Sequence, residues 1–209
     1  MIEVSSFAPT GFDGVIVRVE VDIRRGIPGL DIVGLPDAAI RESRERIRVA
    51  VRNSGFQFPR DRVLVNLAPG DVGKAGSHFD LPIAVAVLGA ANGVSGLVEG
   101  ISLHETLIVG ELDLAGAVHG VRGVLPAVAL GLERGFTRFL VPVENAPEAA
   151  ALGRGVVVPV GSIQKAISVL CSQNSNLSPS GNEREAKPDR FDPAERRSRF
   201  WRHERCPTD

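Results

Sequence analysis

The stretch from Arg62 to Asn92, RVLVNLAPGDVGKAGSHFDLPIAVAVLGAAN, constrains the fold more than any other. It opens on an apolar run, Val63 to Leu67, that reads as a buried strand. A proline- and glycine-rich loop follows, Ala68 to Ser77, with Lys74 near its centre. Asp80 then stands where a helix N-cap is expected, with Pro82 just inside the first turn. From Ile83 to Ala91 the chain is almost wholly apolar, so this helix is expected to be buried on most sides. A loop between such a strand and such a helix often approaches a ligand, a substrate or a neighbouring chain.

Upstream, Val15, Val17, Val19, Val21 and Ile23 alternate with Arg18, Glu20, Asp22 and Arg24, the pattern of a half-buried strand over 14–24. Gly26-Ile27-Pro28-Gly29 makes a turn, and Leu30 to Val33 is expected to return as the second strand of a hairpin. Asp37 is a good N-cap for a helix running to about Ser54, with Gly55 as its stop. Ile40, Ile47, Ala50 and Val51 form its buried stripe. Arg41, Arg44, Arg48 and Arg52 share another face, partly neutralised by Glu42–Arg46 and Arg41–Glu45 at i,i+4 spacing. That face reads either as a solvated, salt-bridged surface or as a phosphate- or partner-binding stripe offering up to about four phosphate contacts.

Downstream, Gly93 to Gly100 is a glycine-punctuated loop, and Thr106 to Leu114 reads as a strand with a turn at Gly110-Glu111. Ala115 to Gly123 is a loop or tight hairpin. A helix over Leu125–Arg134, a strand over Phe139–Pro142, a short helix over Ala146–Leu152 and a strand over Val156–Val160 follow. Ser162 caps a last helix to about Leu170. From 171 to 209 the chain is polar, charge-dense and aperiodic, as in a disordered tail. Its basic end, Arg196 to Arg205, carries Phe200 and Trp201; such a run is a solvated tail or touches nucleic acid or membrane.

A formal net charge of −1 gives no global argument for a nucleic-acid or membrane partner. No apolar run reaches the length of a membrane span, and the N-terminus lacks the features of a signal peptide. Cys171 and Cys206 form no C-x-x-C, which suits a reducing cytoplasm. There is no tyrosine, and the one tryptophan lies in the tail, so platforms for stacking on bases are scarce.

Three segments, GLPDAAIRESRERIRVAVRNSGFQFP (34–59), VNLAPGDVGKAGSHFDLPIAVAVL (65–88) and IVGELDLAGAVHGVRGVLPAV (108–128), closely resemble the N-terminal domain of the magnesium-chelatase-like AAA+ ATPases of the ComM/YifB type. The resemblance covers residues 1 to about 170. It implies a Lon-protease-like α+β fold, a mixed sheet with packed helices, preceding an ATPase module that supplies ATP and magnesium sites. It also implies hexameric motors that bind DNA and migrate branches during recombination in natural transformation. No run after 170 looks like that module, so the chain reads as a truncated, frame-shifted or stand-alone domain, without a cofactor of its own. Its expected partners are DNA, copies of itself or a cognate ATPase module, in the cytoplasm and away from membranes. A relic without function is the remaining possibility for such a product.

The nearest phosphate-loop candidate, Gly70-Asp71-Val72-Gly73-Lys74-Ala75, has the wrong spacing, and Ala75 stands where a Ser or Thr would hold magnesium. The implied fold has protease relatives that pair a serine with a lysine base. Laid on their pattern, the nucleophile falls at or beside His78, with Ser77 one residue earlier. Arg122 stands where the lysine belongs, and a guanidinium keeps its proton, so it is no base. A rescue would need Ser77 with His78 or His119 as base and Asp80 as orienter; otherwise Ser77 and Asp80 are expected to cap the helix that follows. The four histidines, His78, His104, His119 and His203, show no metal-ligand spacing, and Glu105 and Glu111 add only a weak cluster. The leading expectation is a non-catalytic module for assembly, DNA contact or both. Its candidate contacts are Arg41, Arg44, Arg48, Arg52, Lys74 and Arg122.

Overall fold

Every segment with period-two or short apolar character joins one sheet, except a small hairpin. The computed structural model describes residues 1–10, 13–91 and 103–172. The strands are β1 (Ile2–Thr10), β2 (Asp13–Arg24), β3 (Gly29–Val33), β4 (Arg62–Ala68), β5 (Thr106–Ile108), β6 (Glu111–Leu112), β7 (Val118–His119), β8 (Arg138–Pro142) and β9 (Val156–Val160). The helices are α1 (Ala38–Asn53), α2 (Asp80–Ala90), α3 (Val124–Glu133), α4 (Ala146–Ala150) and α5 (Ile163–Ser172). The main sheet runs β3-β4-β2-β1-β5-β8-β9, and β6 pairs with β7 separately. β2 is antiparallel to β1 and β4; the other neighbours in the main sheet are parallel. The loop expected over 93–100 and the tail beyond Ser172 lie outside the described residues.

Helices cover both faces. Val17, Val19 and Val21 of β2 and Val63, Val65 and Leu67 of β4 pack in one core with Ile40 and Ile47 of α1, the whole of α2's apolar run and Ile163, Ala166 and Leu170 of α5. Phe7, Leu107 and Phe139 form the other core with Val124, Ala127 and Val128 of α3 and Ala149 of α4. The sheet is therefore mixed and mostly parallel with helices on both faces, an α/β layering rather than segregated α+β.

Two strand expectations change. No strand was read in the first ten residues, yet β1 is the central strand. It is buried from both sides, Val4 and Ala8 toward one core and Phe7 toward the other, so its sequence does not alternate. The hairpin of β2 and β3 does not form: β4 lies between them, antiparallel to β2 and parallel to β3. A parallel neighbour needs a crossover, and α1 supplies it. Asp37 caps α1 as expected, its Oδ1 accepting from Ile40 N at 2.8 Å.

Asp80 corrects a third reading. It lies in the first turn of α2 instead of capping it, and its carboxylate is fully buried. Arg46 of α1 donates to it from Nε at 2.7 Å, and Leu112 of β6 donates its backbone N–H at 3.2 Å. Arg46 also reaches Ser43 Oγ at 2.9 Å. One carboxylate thus joins α1, α2 and the small hairpin. Removing one member of a buried pair leaves the other charge uncompensated. Arg46→Ala should cost about 3 kcal/mol in urea unfolding, and Arg46→Met combined with Asp80→Asn should cost less than that.

Candidate functional site

The glycine loop closes on itself. Lys74 is only 1% exposed, and its Nζ donates to the carbonyl of Pro69 within the loop. Its backbone N–H donates to Leu35 O at 3.2 Å, and its carbonyl accepts from Asp37 N at 3.0 Å. The second oxygen of Asp37 accepts from Gly76 N at 3.1 Å. Burial pushes the Lys74 ammonium below the usual lysine range, and nearby Asp71 partly offsets this. Lys74 is thereby removed from the expected contact surface: the ammonium faces the loop's own carbonyl, away from an approaching phosphate.

The serine and histidines do not assemble into a triad. Ser77 Oγ donates to Glu111 Oε2 at 2.5 Å and caps nothing. His119 stands directly across the β6–β7 ladder from Glu111, yet its Nε2 meets Asp113 Oδ2 at 3.2 Å. The backbone N–H of Ala117, with His119 adding to it, holds the Asp113 carboxyl below the usual range. His78 is 7% exposed and stacks at a tilt on Phe79, with ring centroids 4.2 Å apart. Desolvation lowers its pKa to about 4, against a weaker opposing pull from a hydrogen bond to the Phe7 backbone and from Asp37. Asp80, the expected orienter, is occupied by Arg46. Burial pushes the Asp80 carboxyl up, and Arg46, Ser43 and the Leu112 N–H pull it back. Ser77, His119 and Asp80 are each held by a partner other than the one serine chemistry needs, and His78 Nε2 is buried with no hydrogen-bond partner among the described residues. Glu111 as the partner of Ser77 was not foreseen. Both lie inside the quoted family segments, but only the fold brings β6 against the start of α2.

The arginine face of α1 is of mixed sign. Arg48 pairs with Glu45 at 3.1 Å, and its guanidinium lies 5.7 Å from the centre of the Phe58 ring. The expected pairs Glu42–Arg46 and Arg41–Glu45 give way to Arg46–Asp80 and Arg48–Glu45. Arg44 Nε donates to Arg41 O at 2.9 Å. Arg41, Arg44 and Arg52 remain exposed. Arg41, Arg44 and Arg48 line a groove between α1 and β3 together with Asp31, Glu42 and Glu45. Arg122 is exposed in the loop between β7 and α3 and does not line that groove. Among the described residues no group of three or more His, Cys, Asp or Glu side chains could hold a metal ion. Nor is any described helix long and apolar enough to cross a membrane.

A family model described as the ChlI subunit of Mg-chelatase matches residues 19–145. Among curated proteins, an uncharacterized protein of Mycobacterium tuberculosis is 46% identical over 145 residues, 69% of this chain and 28% of that protein. The uncharacterized protein YifB of Escherichia coli is 37% identical over 152 residues, 72% of this chain and 29% of that protein. The competence protein ComM of Haemophilus influenzae is 38% identical over 147 residues, 70% of this chain and 28% of that protein. The chain spans less than a third of the length of each.

His78 binds a proton near pH 4 when folded and near 6.5 when unfolded. Between those values the unfolded chain holds the extra proton, so stability rises with pH across the window and is lost as pH falls through it. Urea unfolding should show a loss of roughly 3 kcal/mol from pH 6.5 to 4, and His78→Gln should flatten that slope. A serine-directed fluorophosphonate should leave the chain unlabelled. Labelling that disappears in Ser77→Ala would restore the hydrolase reading.

Proposed function

The chain belongs to the family of the ChlI subunit of magnesium chelatase, and from that premise we propose that it is a non-catalytic assembly module of a ComM/YifB-type DNA-processing ATPase. It docks to copies of itself or to the ATPase module of such a motor, in the cytoplasm, with ATP and magnesium bound by that module. The setting is recombination in natural transformation. The fold is of the Lon-protease-like kind, which the mixed sheet with packed helices supports. One observation carries the non-catalytic reading: the loop residues that chemistry would use are spent inside the fold. Lys74 closes on Pro69, Ser77 on Glu111 and Asp80 on Arg46.

DNA contact is a second reading, favoured by the exposure of Arg41, Arg44, Arg52 and Arg122. The carboxylates of Glu42 and Glu45 interleave with two of these arginines, Arg41 and Arg44, which weakens a backbone-tracking site.

Sedimentation velocity of the chain, alone and mixed with a full-length ComM-type ATPase, should show association in at least one case. DNA binding at physiological salt should be weak. Absence of both associations would overturn the assembly reading. A plot of log affinity for DNA against log salt with a slope of about −3 to −4, flattened in Arg41→Ala and Arg44→Ala, would establish the second.

A further inference from the structure

The two edges of the main sheet differ. β9 carries Pro159, which has no N–H to donate, so that edge is blunted against pairing. β3, at the other edge, has no proline between Gly29 and Val33, with Pro28 just before it, and among the described residues β4 lies on one of its sides and no strand on the other. An unguarded strand edge is a template for another strand.

Large apolar side chains are held in solvent at both ends of this edge. Ile27, in the turn before β3, is 88% exposed. Val33 ends the strand and Leu35 follows it, 44% and 58% exposed. Leu35 has φ +55°, in the left-handed region that a branched, bulky residue rarely adopts. Gly34 before it has φ +95°, and a Cβ there would lie 2.2 Å from Leu67 O. Leu35 cannot relax easily, because its carbonyl accepts from Lys74 N and its neighbour Pro36 bridges to Lys74. The closed glycine loop therefore holds Leu35 outward in a conformation that costs free energy within the domain.

The groove beside this edge names the occupant. Its α1 wall reads Arg41, Glu42, Arg44, Glu45, Arg48, alternating in sign, with Asp31 on the opposite side. Asp31 is already neutralised by Arg62 at 2.8 Å. A uniformly acidic peptide or a nucleic acid would meet two carboxylates, Glu42 and Glu45, among the three arginines of that wall. Arg41, Glu42, Arg44 and Glu45 read plus, minus, plus, minus, a run complementary to its own reversed copy, with Arg48 outside it and paired to Glu45.

We propose, resting on the assembly reading above, that β3 is the docking edge of the module and that its partner is a second copy of this chain. The two β3 strands pair antiparallel about a two-fold axis near Asp31. That axis exchanges the strand ends, so Ile27 of one copy packs against the Val33–Leu35 end of the other. The interface is isologous, so each substitution counts twice. Arg41 of one α1 then faces Glu45 of the other.

Sedimentation velocity of the full 209-residue chain over a wide concentration range reads the outcome. A reversible dimer is expected. Leu35→Gly relieves the backbone and removes the side chain, so the variant should stay folded by circular dichroism while its dimer constant falls by about tenfold or more. Ile27→Lys should act alike. Arg41→Glu and Glu45→Arg should each weaken the dimer, and the double variant should restore it. A chain that stays monomeric overturns the proposal, although association with a ComM-type ATPase would leave the assembly reading intact. A dimer that none of these substitutions weakens overturns the β3 edge while keeping self-association. Binding of acidic peptide or DNA that Leu35→Gly abolishes in a monomeric chain would assign the groove to that other occupant and overturn the second copy.

Discussion

The buried carboxylate of Asp80 holds this domain in register. It sits at the start of the most buried helix and reaches the crossover helix through Arg46 and the small hairpin through Leu112. A charge in so dry a place is tolerated only when paired and fully hydrogen-bonded. Asp80 meets that condition with partners from two other elements. The gain is geometric more than energetic, since apolar side chains of the same shape could pack as well. The pair fixes how α1 lies on α2, and so where the arginine face and the β3 edge point.

Much of this arrangement was legible. The β4 run, the buried α2, the Asp37 cap and the alternation of β2 are local patterns, and local physics settles them. Ser162 behaves the same way, accepting from Lys165 N at 3.2 Å at the start of α5. Illegible features share a different cause. β1 lacks alternation because both its faces are covered, and Ser6, fully buried within it, interrupts even the apolar run. The side chains of Lys74, Ser77 and Asp80 could be listed from the sequence, but their partners could not. Arg46 and Glu111 lie 34 residues from Asp80 and Ser77 respectively. No spacing rule reaches that far; only the topology from α1 through β4 and α2 to β6 closes those distances.

The same topology explains why the loop's chemical residue types meet other parts of the fold instead of one another. Lys74 with its backbone in a bridge to Pro36 has nowhere to send its ammonium except inward, and Pro69 O receives it. His78 is pressed between Phe79 and the backbone of Phe7, dry enough to lose its proton affinity near neutral pH. Ser77 faces Glu111, a carboxylate that no described histidine bridges. Lys74 is held in this way because the connection between β3 and α1, which carries Leu35 and Asp37, runs over the loop and is pinned to it at both residues.

A strut that is closed on one side must be strained on the other. Asp37 N and Leu35 O both bond to Lys74, which fixes the chain between β3 and α1. Gly34 can adopt the required turn only because it has no Cβ to meet Leu67 O. Leu35 has no such freedom and takes φ +55° with its side chain in water. Within the isolated domain nothing offsets that cost: a polar or glycine residue would fit the same backbone more cheaply. An apolar side chain kept there gains free energy only when something covers it. The sheet edge beside it has no strand on its outer side among the described residues, and the groove supplies charges of both signs. The strained Gly34-Leu35 turn continues β3 and the groove of mixed charge borders it, so the proposed strand laid against β3 would meet turn, edge and groove together.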